Sequence, residues 1–171
     1  SALLFLFTED GSPCVYYGTE QGFAGGNDPA NREDLWWSGY DQASPDYQWV
    51  RRLARIRRSY KALTHGDLKV TWASDRTGNE SDAGIFAYER AGGDAGDAYA
   101  LMVFNTNSAQ ESATQFGGAG MAVGTPGGTS LVNVLDPNES VSVAGDGTLI
   151  VNVPATSGKL FVRAGDLISG L

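Results

Sequence analysis

A chain of 171 residues is long enough for one or two domains with a substantial core. Its 12 Lys and Arg against 20 Asp and Glu leave a formal net charge of −8, which argues against nucleic acid as a partner, since phosphate binding needs clustered cations. One cysteine (Cys14) and one histidine (His65) exclude an intrachain disulfide and a Cys/His metal site, and no apolar run reaches the roughly 18 residues of a membrane span.

In chain order, Ala2 to about Thr8 reads as the end of a helix. The apolar run Leu3-Leu4-Phe5-Leu6-Phe7 has no basic region and no cleavage site, so it is not a signal peptide. It reads instead as a cut through a larger protein. A helix and strand cut from their neighbours would expose Leu3, Leu4, Phe5 and Phe7 and an unpaired strand edge, which predicts self-association. Glu9 to Pro13 is a turn punctuated by glycine and proline. Cys14-Val15-Tyr16-Tyr17 suits a buried strand of a parallel sheet, with Cys14 as a small buried hydrophobe and the two tyrosines pointing to opposite sides.

Gly22 to Tyr40 is a long irregular loop, a length usually associated with function. Ser44-Pro45-Asp46 then starts a helix through an N-cap hydroxyl, a proline at the first helical position and an acid in the first turn. This helix is expected to run to about Leu63. Trp49, Leu53, Ile56, Tyr60 and Leu63 form its buried stripe. Arg51, Arg52, Arg55, Arg57, Arg58 and Lys61 are half of the chain's 12 basic residues and read as a solvated face. His65 closes the helix, where the dipole favours a cation, in a capping or packing role.

From Leu68 the period changes to alternation. Strands are expected at Leu68 to Trp72, Ile85 to Glu89, Tyr99 to Phe104, Leu131 to Leu135, Leu149 to Val153 and Leu160 to Val162. Glycine-rich turns separate them, and Asp94, Asp97 and Asp146 read as turn formers. Short strands with such turns argue an antiparallel sandwich. Two pieces result: residues 1–65 as helix, strand, loop and helix, and residues 66–171 as an all-β domain.

Within the long loop, Gly25-Gly26-Asn27-Asp28-Pro29-Ala30-Asn31-Arg32 combines flexible glycines, a φ-locking proline, a carboxylate and a guanidinium. Asp28 and Arg32 held four residues apart can chelate neighbouring sugar hydroxyls, the acid accepting and the planar fork donating. The alternative is that they pair and hold the turn. Upstream lies Gly11-Ser12-Pro13-Cys14-Val15-Tyr16-Tyr17-Gly18-Thr19-Glu20-Gln21. Together these residues resemble the alpha-amylase family of glycoside hydrolases, above all its fungal-type alpha-amylases and cyclodextrin glucanotransferases. The resemblance runs on through Trp36 and Ser38-Gly39-Tyr40 and, more loosely, through the C-terminal half.

The resemblance implies an α/β barrel terminal unit followed by an antiparallel Greek-key sandwich, domain C. It also implies that Asp28 and Arg32 hydrogen-bond a glucosyl unit of a bound α-glucan, with Asn27 and Asn31 bracing the loop. Core packing is expected for Trp36 and Trp37, with stacking on pyranose faces as the alternative. Glu20 reads as structural. Retaining glycosidases use two carboxyl groups about 5 Å apart. In this family those, and a third carboxylate in an N-H-D pattern, precede the last barrel strand, and no N-H-D occurs here.

The expectation is therefore a secreted parent that hydrolyses α-1,4-glucans with retention, of which this chain alone is inactive. Its partners would be the α-glucan and the remainder of the barrel, with no nucleic acid and no membrane. No cofactor is expected in this chain, and the resemblance allows calcium in the parent. The alternative is a non-catalytic carbohydrate-binding or structural module.

Overall fold

The computed structural model describes residues 1–171. Three helices come first: α1 (Ala2–Thr8), α2 (Pro45–Ser59) and α3 (Lys61–His65). The strands follow as β1 (Asp67–Ala73), β2 (Ile85–Ala91), β3 (Tyr99–Asn105), β4 (Ser112–Ala113), β5 (Gln115–Phe116), β6 (Ala119–Ala122), β7 (Ser130–Asn133), β8 (Ser140–Ser142), β9 (Thr148–Leu149), β10 (Asn152–Val153) and β11 (Gly158–Arg163).

The local chemistry of α2 is as expected. Ser44 Oγ accepts from the Tyr47 backbone N–H at 3.2 Å, and Pro45 occupies the first turn. The predicted single helix is interrupted, however. Tyr60 is extended, with φ −103° and ψ 108°, and separates α2 from α3. No glycine or proline marks this break. Tyr60 is buried, and its hydroxyl accepts from the Ile168 backbone N–H at 3.1 Å, a contact with the far end of the chain.

The main sheet has six strands in the order β1-β2-β3-β11-β7-β8, all antiparallel. A bulge lies between Val70 and Trp72 of β1. The central strands alternate, but both of their faces are apolar because both are covered. On one side Tyr88, Ala100, Met102, Phe104, Leu160 and Val162 pack with Leu4, Phe7, Leu53, Ile56 and Leu63 of the helices. On the other side Ile85, Ala87, Leu101, Val103 and Phe161 pack with Met121 and Leu149 of the small β5-β6-β9 sheet. The result is a layer of helices, a six-stranded sheet and a layer of short strands.

Several expectations change. Leu4 and Phe7 are buried against the sheet, and Phe5, 37% exposed, packs its ring against Phe86, Tyr88 and Phe104 of the sheet, so little of the apolar exposure predicted for the first helix remains. Cys14 to Tyr17 is not a strand, and Cys14 is exposed. Strands are made by their neighbours' hydrogen bonds, and every pairing in this chain is antiparallel within residues 67–163. Leu149 to Val153 is divided between β9 and β10, which pair with different partners, β6 and β4.

The basic face of α2 is not merely solvated. Arg52 donates to the carbonyls of Val134 and Leu135, Arg55 to Gly170, and Arg57 to Phe7, Glu9 and Gly11. These guanidiniums cap loose carbonyl ends of other segments, an arrangement that a planar fork of donors suits. No helix is long and apolar enough to cross a membrane.

Candidate functional site

The loop before α2 is held at both ends. Thr19–Gln21 forms a one-turn 3-10 helix after Gly18, whose φ is 86°. A Cβ at Gly18 would lie 2.3 Å from the Phe23 ring, so only glycine lets the chain fold back on this aromatic. Ser44 Oγ donates to the Glu20 carbonyl at 3.3 Å, tying the cap of α2 to the same turn. Gln21 grips residue 41 twice: its Nε2 donates to the Asp41 carbonyl at 3.2 Å, and its Oε1 accepts the Asp41 N–H at 3.1 Å.

Between these anchors the Gly25–Glu33 segment closes on itself. Glu33 Oε1 accepts the Gly25 N–H at 3.0 Å. Ala30 N donates to the Asn27 carbonyl at 2.7 Å, and Arg32 N donates to the Pro29 carbonyl at 3.0 Å. The Asp28–Pro29 peptide is cis. Asn27 thus braces the loop through its main chain.

Asp28 and Arg32 are brought together. Arg32 Nε lies 3.0 Å from Asp28 Oδ1, with the side chains 71% and 65% exposed respectively. An exposed pair of this kind contributes little to stability, roughly 0–1 kcal/mol. Neither side chain makes another hydrogen bond within the chain, so both keep unused polar atoms. The same loop contributes to a depression of about 280 Å³ walled by Tyr16, Tyr17, Phe23, Gly26, Asn31 and Glu33, which neither Asp28 nor Arg32 lines. Asn31 Oδ1 is buried there and accepts no hydrogen bond. Tyr16 and Tyr17 do not point to opposite sides. Both are exposed, and their rings meet with centroids 4.7 Å apart, because the segment is not pleated.

Trp36 and Trp37 are not core residues. They are 57% and 73% exposed, and they stack on each other with centroids 4.1 Å apart and an interplanar angle of 28°. They sit on a second 3-10 turn, Leu35–Ser38. Half-buried Glu20 lines a separate groove with Val15, Tyr17, Tyr47 and Val50. His65 ends α3 and shares a hydrogen bond with Thr64 Oγ1 at 2.7 Å.

No protein-family model matches the chain. A beta/alpha-amylase of Paenibacillus polymyxa is 30% identical over 164 residues, which cover 95% of this chain and 12% of the relative. A cyclomaltodextrin glucanotransferase of Thermoanaerobacterium thermosulfurigenes is 30% identical over 150 residues, covering 86% and 19%. The solved structure of an alpha-amylase from Malbranchea cinnamomea superposes with a TM-score of 0.73 at 26% identity, covering 98% of this chain and 33% of that one.

The homologues of this chain are alpha-amylases and cyclodextrin glucanotransferases. This amylase-related chain is mostly antiparallel sheet with few helices, which matches the C-terminal domain of its amylase structural neighbours. It spans between an eighth and a third of the length of the three proteins compared.

Sequence reasoning missed the fasteners of the amylase-related loop: Glu33 on Gly25, Gln21 on Asp41 and Phe23 over Gly18. Each joins residues separated by 5 to 20 positions of irregular chain, where no periodicity marks a contact. The missing side chain of Gly18, just before the turn, was the only local signal.

Proposed function

We propose that this chain is the closing unit of a catalytic barrel (residues 1–65) joined to a Greek-key β domain (residues 66–171), belonging to an enzyme that cleaves α-1,4-glucans with retention. In this reading Asp28 and Arg32 hold a glucosyl unit of the substrate. The reaction itself needs two carboxyl groups about 5 Å apart, which the resemblance places before the last barrel strand together with the third carboxylate of an N-H-D pattern, and no N-H-D occurs in these 171 residues. The chain by itself therefore binds glucan and does not cleave it. Calcium, secretion and the remainder of the barrel belong to the parent in the same reading.

One observation carries the assignment: an acid and a guanidinium, paired at 3.0 Å on a loop pinned by Glu33, keep most of their hydrogen-bonding atoms unused and largely exposed. A pyranose with adjacent hydroxyls presents both donors and acceptors to such a pair. The relatives' names add the substrate class. The amylases and glucanotransferases among them are named for α-glucans and cyclic maltodextrins.

Titration calorimetry with maltoheptaose tests this. The chain is expected to bind at millimolar concentration and the Asp28→Ala, Arg32→Ala double variant to lose that binding. Equal binding by both would remove the pair from the site. No binding by either would leave a structural module.

A further inference from the structure

A second groove, of about 500 Å³, shares Phe23 and Glu33 with the depression beside Asn31. Its walls include Gln21, Glu33, Asp34, Trp37 and Asp41. We propose that it is a second glucan contact, in which Trp37 stacks on a pyranose face and the carboxylates accept its hydroxyl hydrogens. This proposal rests on the α-glucan reading above and extends it to a specific neighbouring surface.

Three observations converge on it. The first is the indole. Trp37 is the most exposed of the large apolar side chains, at 73%. One of its faces stacks on Trp36, and the indole lines the groove. A rigid aromatic plate offers large contact area at little entropic cost, and the C–H faces of a sugar ring match it.

The second is charge. The groove is walled by Glu33, Asp34 and Asp41 and by no lysine or arginine. Such walls repel phosphates, sulfates and acidic sugars and favour neutral hydroxyl donors. The three carboxylates do not converge as a metal site. Asp34 precedes the Leu35–Ser38 turn, yet its side chain makes no capping hydrogen bond and stays free to accept one from a ligand.

The third is construction and continuity. The two hydrogen bonds between the Gln21 side chain and the Asp41 backbone stitch the two rims together, so the groove exists without ligand. Phe23 and Glu33 line both this groove and the depression beside Asn31, so one glucan chain can cross from one to the other.

The test is a two-dimensional ¹H–¹⁵N spectrum of the full chain titrated with maltoheptaose, with the four indole N–H signals assigned. The Trp37 indole is expected to shift together with the amides of residues 27–32. Trp72, whose indole N–H is engaged by Asp82 at 3.0 Å, should stay still and report an intact fold. Trp37→Ala should weaken binding roughly 2- to 10-fold, the range of a single stacking contact. Loop amides that move while the Trp37 indole does not would overturn the groove and leave the Asp28–Arg32 reading standing. Silence in both regions would overturn both. Shifts of Trp37 with spermidine but not with maltoheptaose would replace the glucan with a cation, and an unchanged affinity of Trp37→Ala would also end the proposal.

Discussion

The Tyr99 hydroxyl donates to Glu89 Oε1 at 2.6 Å inside the β layer, with both residues 3% exposed. The Gly124 backbone N–H donates to the same carboxylate oxygen at 2.5 Å. A buried carboxylate is tolerable only when donors converge on it, and here two do. Gly124 belongs to this arrangement, since a Cβ on it would approach Glu89 Oε2 to 3.0 Å. Burial and the neighbouring Glu89 raise the Tyr99 phenol above its ordinary value, which keeps it protonated as the donor.

Tyr99→Phe should therefore destabilise the chain by about 1–3 kcal/mol, the cost of leaving a buried acceptor short of a partner. Urea unfolding followed by near-ultraviolet circular dichroism measures it. An unchanged midpoint would show that the hydroxyl is not needed.

A second buried carboxylate sets the acid limit. Asp82 is fully buried and accepts from Arg76 Nε at 2.7 Å, Arg76 Nη2 at 2.5 Å and Trp72 Nε1 at 3.0 Å. The Arg76 hydrogen bonds hold its carboxyl below the ordinary carboxylate range against the opposing effect of burial. A depressed folded-state value contributes stability that is complete above the unfolded value and is lost as pH falls through the folded one. Stability should thus decline below pH about 4. Asp82→Asn should be less stable at neutral pH and show a flatter acid limb in pH-dependent melting.

Tyr88 contributes to the alkaline limit beside the other buried phenols raised on folding, Tyr99 and Tyr60. Burial pushes the Tyr88 phenol up to about 12 from an ordinary 10.0, with the Thr8 hydroxyl at 2.7 Å. For a group raised on folding, the stabilising contribution is complete below the unfolded value and disappears as pH rises through the folded value. Unfolding free energy should fall between about pH 10 and about pH 12. Tyr88→Phe, which cannot ionise, should flatten that decline, and an unchanged alkaline limb would assign it to another group.

Arg57 links the helices. Its Nη1 donates to the carbonyls of Phe7 at 2.8 Å and Glu9 at 3.1 Å, while Nη2 reaches Gly11 at 2.5 Å. A lysine ammonium cannot span these three acceptors as a fork does. Arg57→Lys should loosen α1 and the segment leading to Tyr17, at a cost of about 1.5–3 kcal/mol for lost charged hydrogen bonds. Amide hydrogen exchange should quicken over residues 2–17 with β3 and β11 unchanged. Uniform acceleration would mean that Arg57 supports the whole fold instead.

What the sequence determined alone was local or periodic. Ser44-Pro45-Asp46 names a helix start because its chemistry acts within four residues. The segments of β2, β3 and β11 were legible as strands because both faces of these central strands are covered, so each reads as a short, nearly continuous apolar run bounded by turn residues. The Gly25–Arg32 motif announced a polar loop, and the spacing of Asp28 and Arg32 allowed the ion pair that they form. Tertiary structure decided everything that depended on a distant partner. Cys14 to Tyr17 reads the same whether or not a strand runs beside it, and none does in this chain. Trp36 and Trp37 carry no mark of which surface they face. Arg90 is a charged residue in an alternating run, yet it is fully buried because Gly66 and Thr8 carbonyls and Asp10 meet its guanidinium. Burial of a polar group is settled by where its hydrogen-bond partners arrive in space, and that distance is not written in residue spacing.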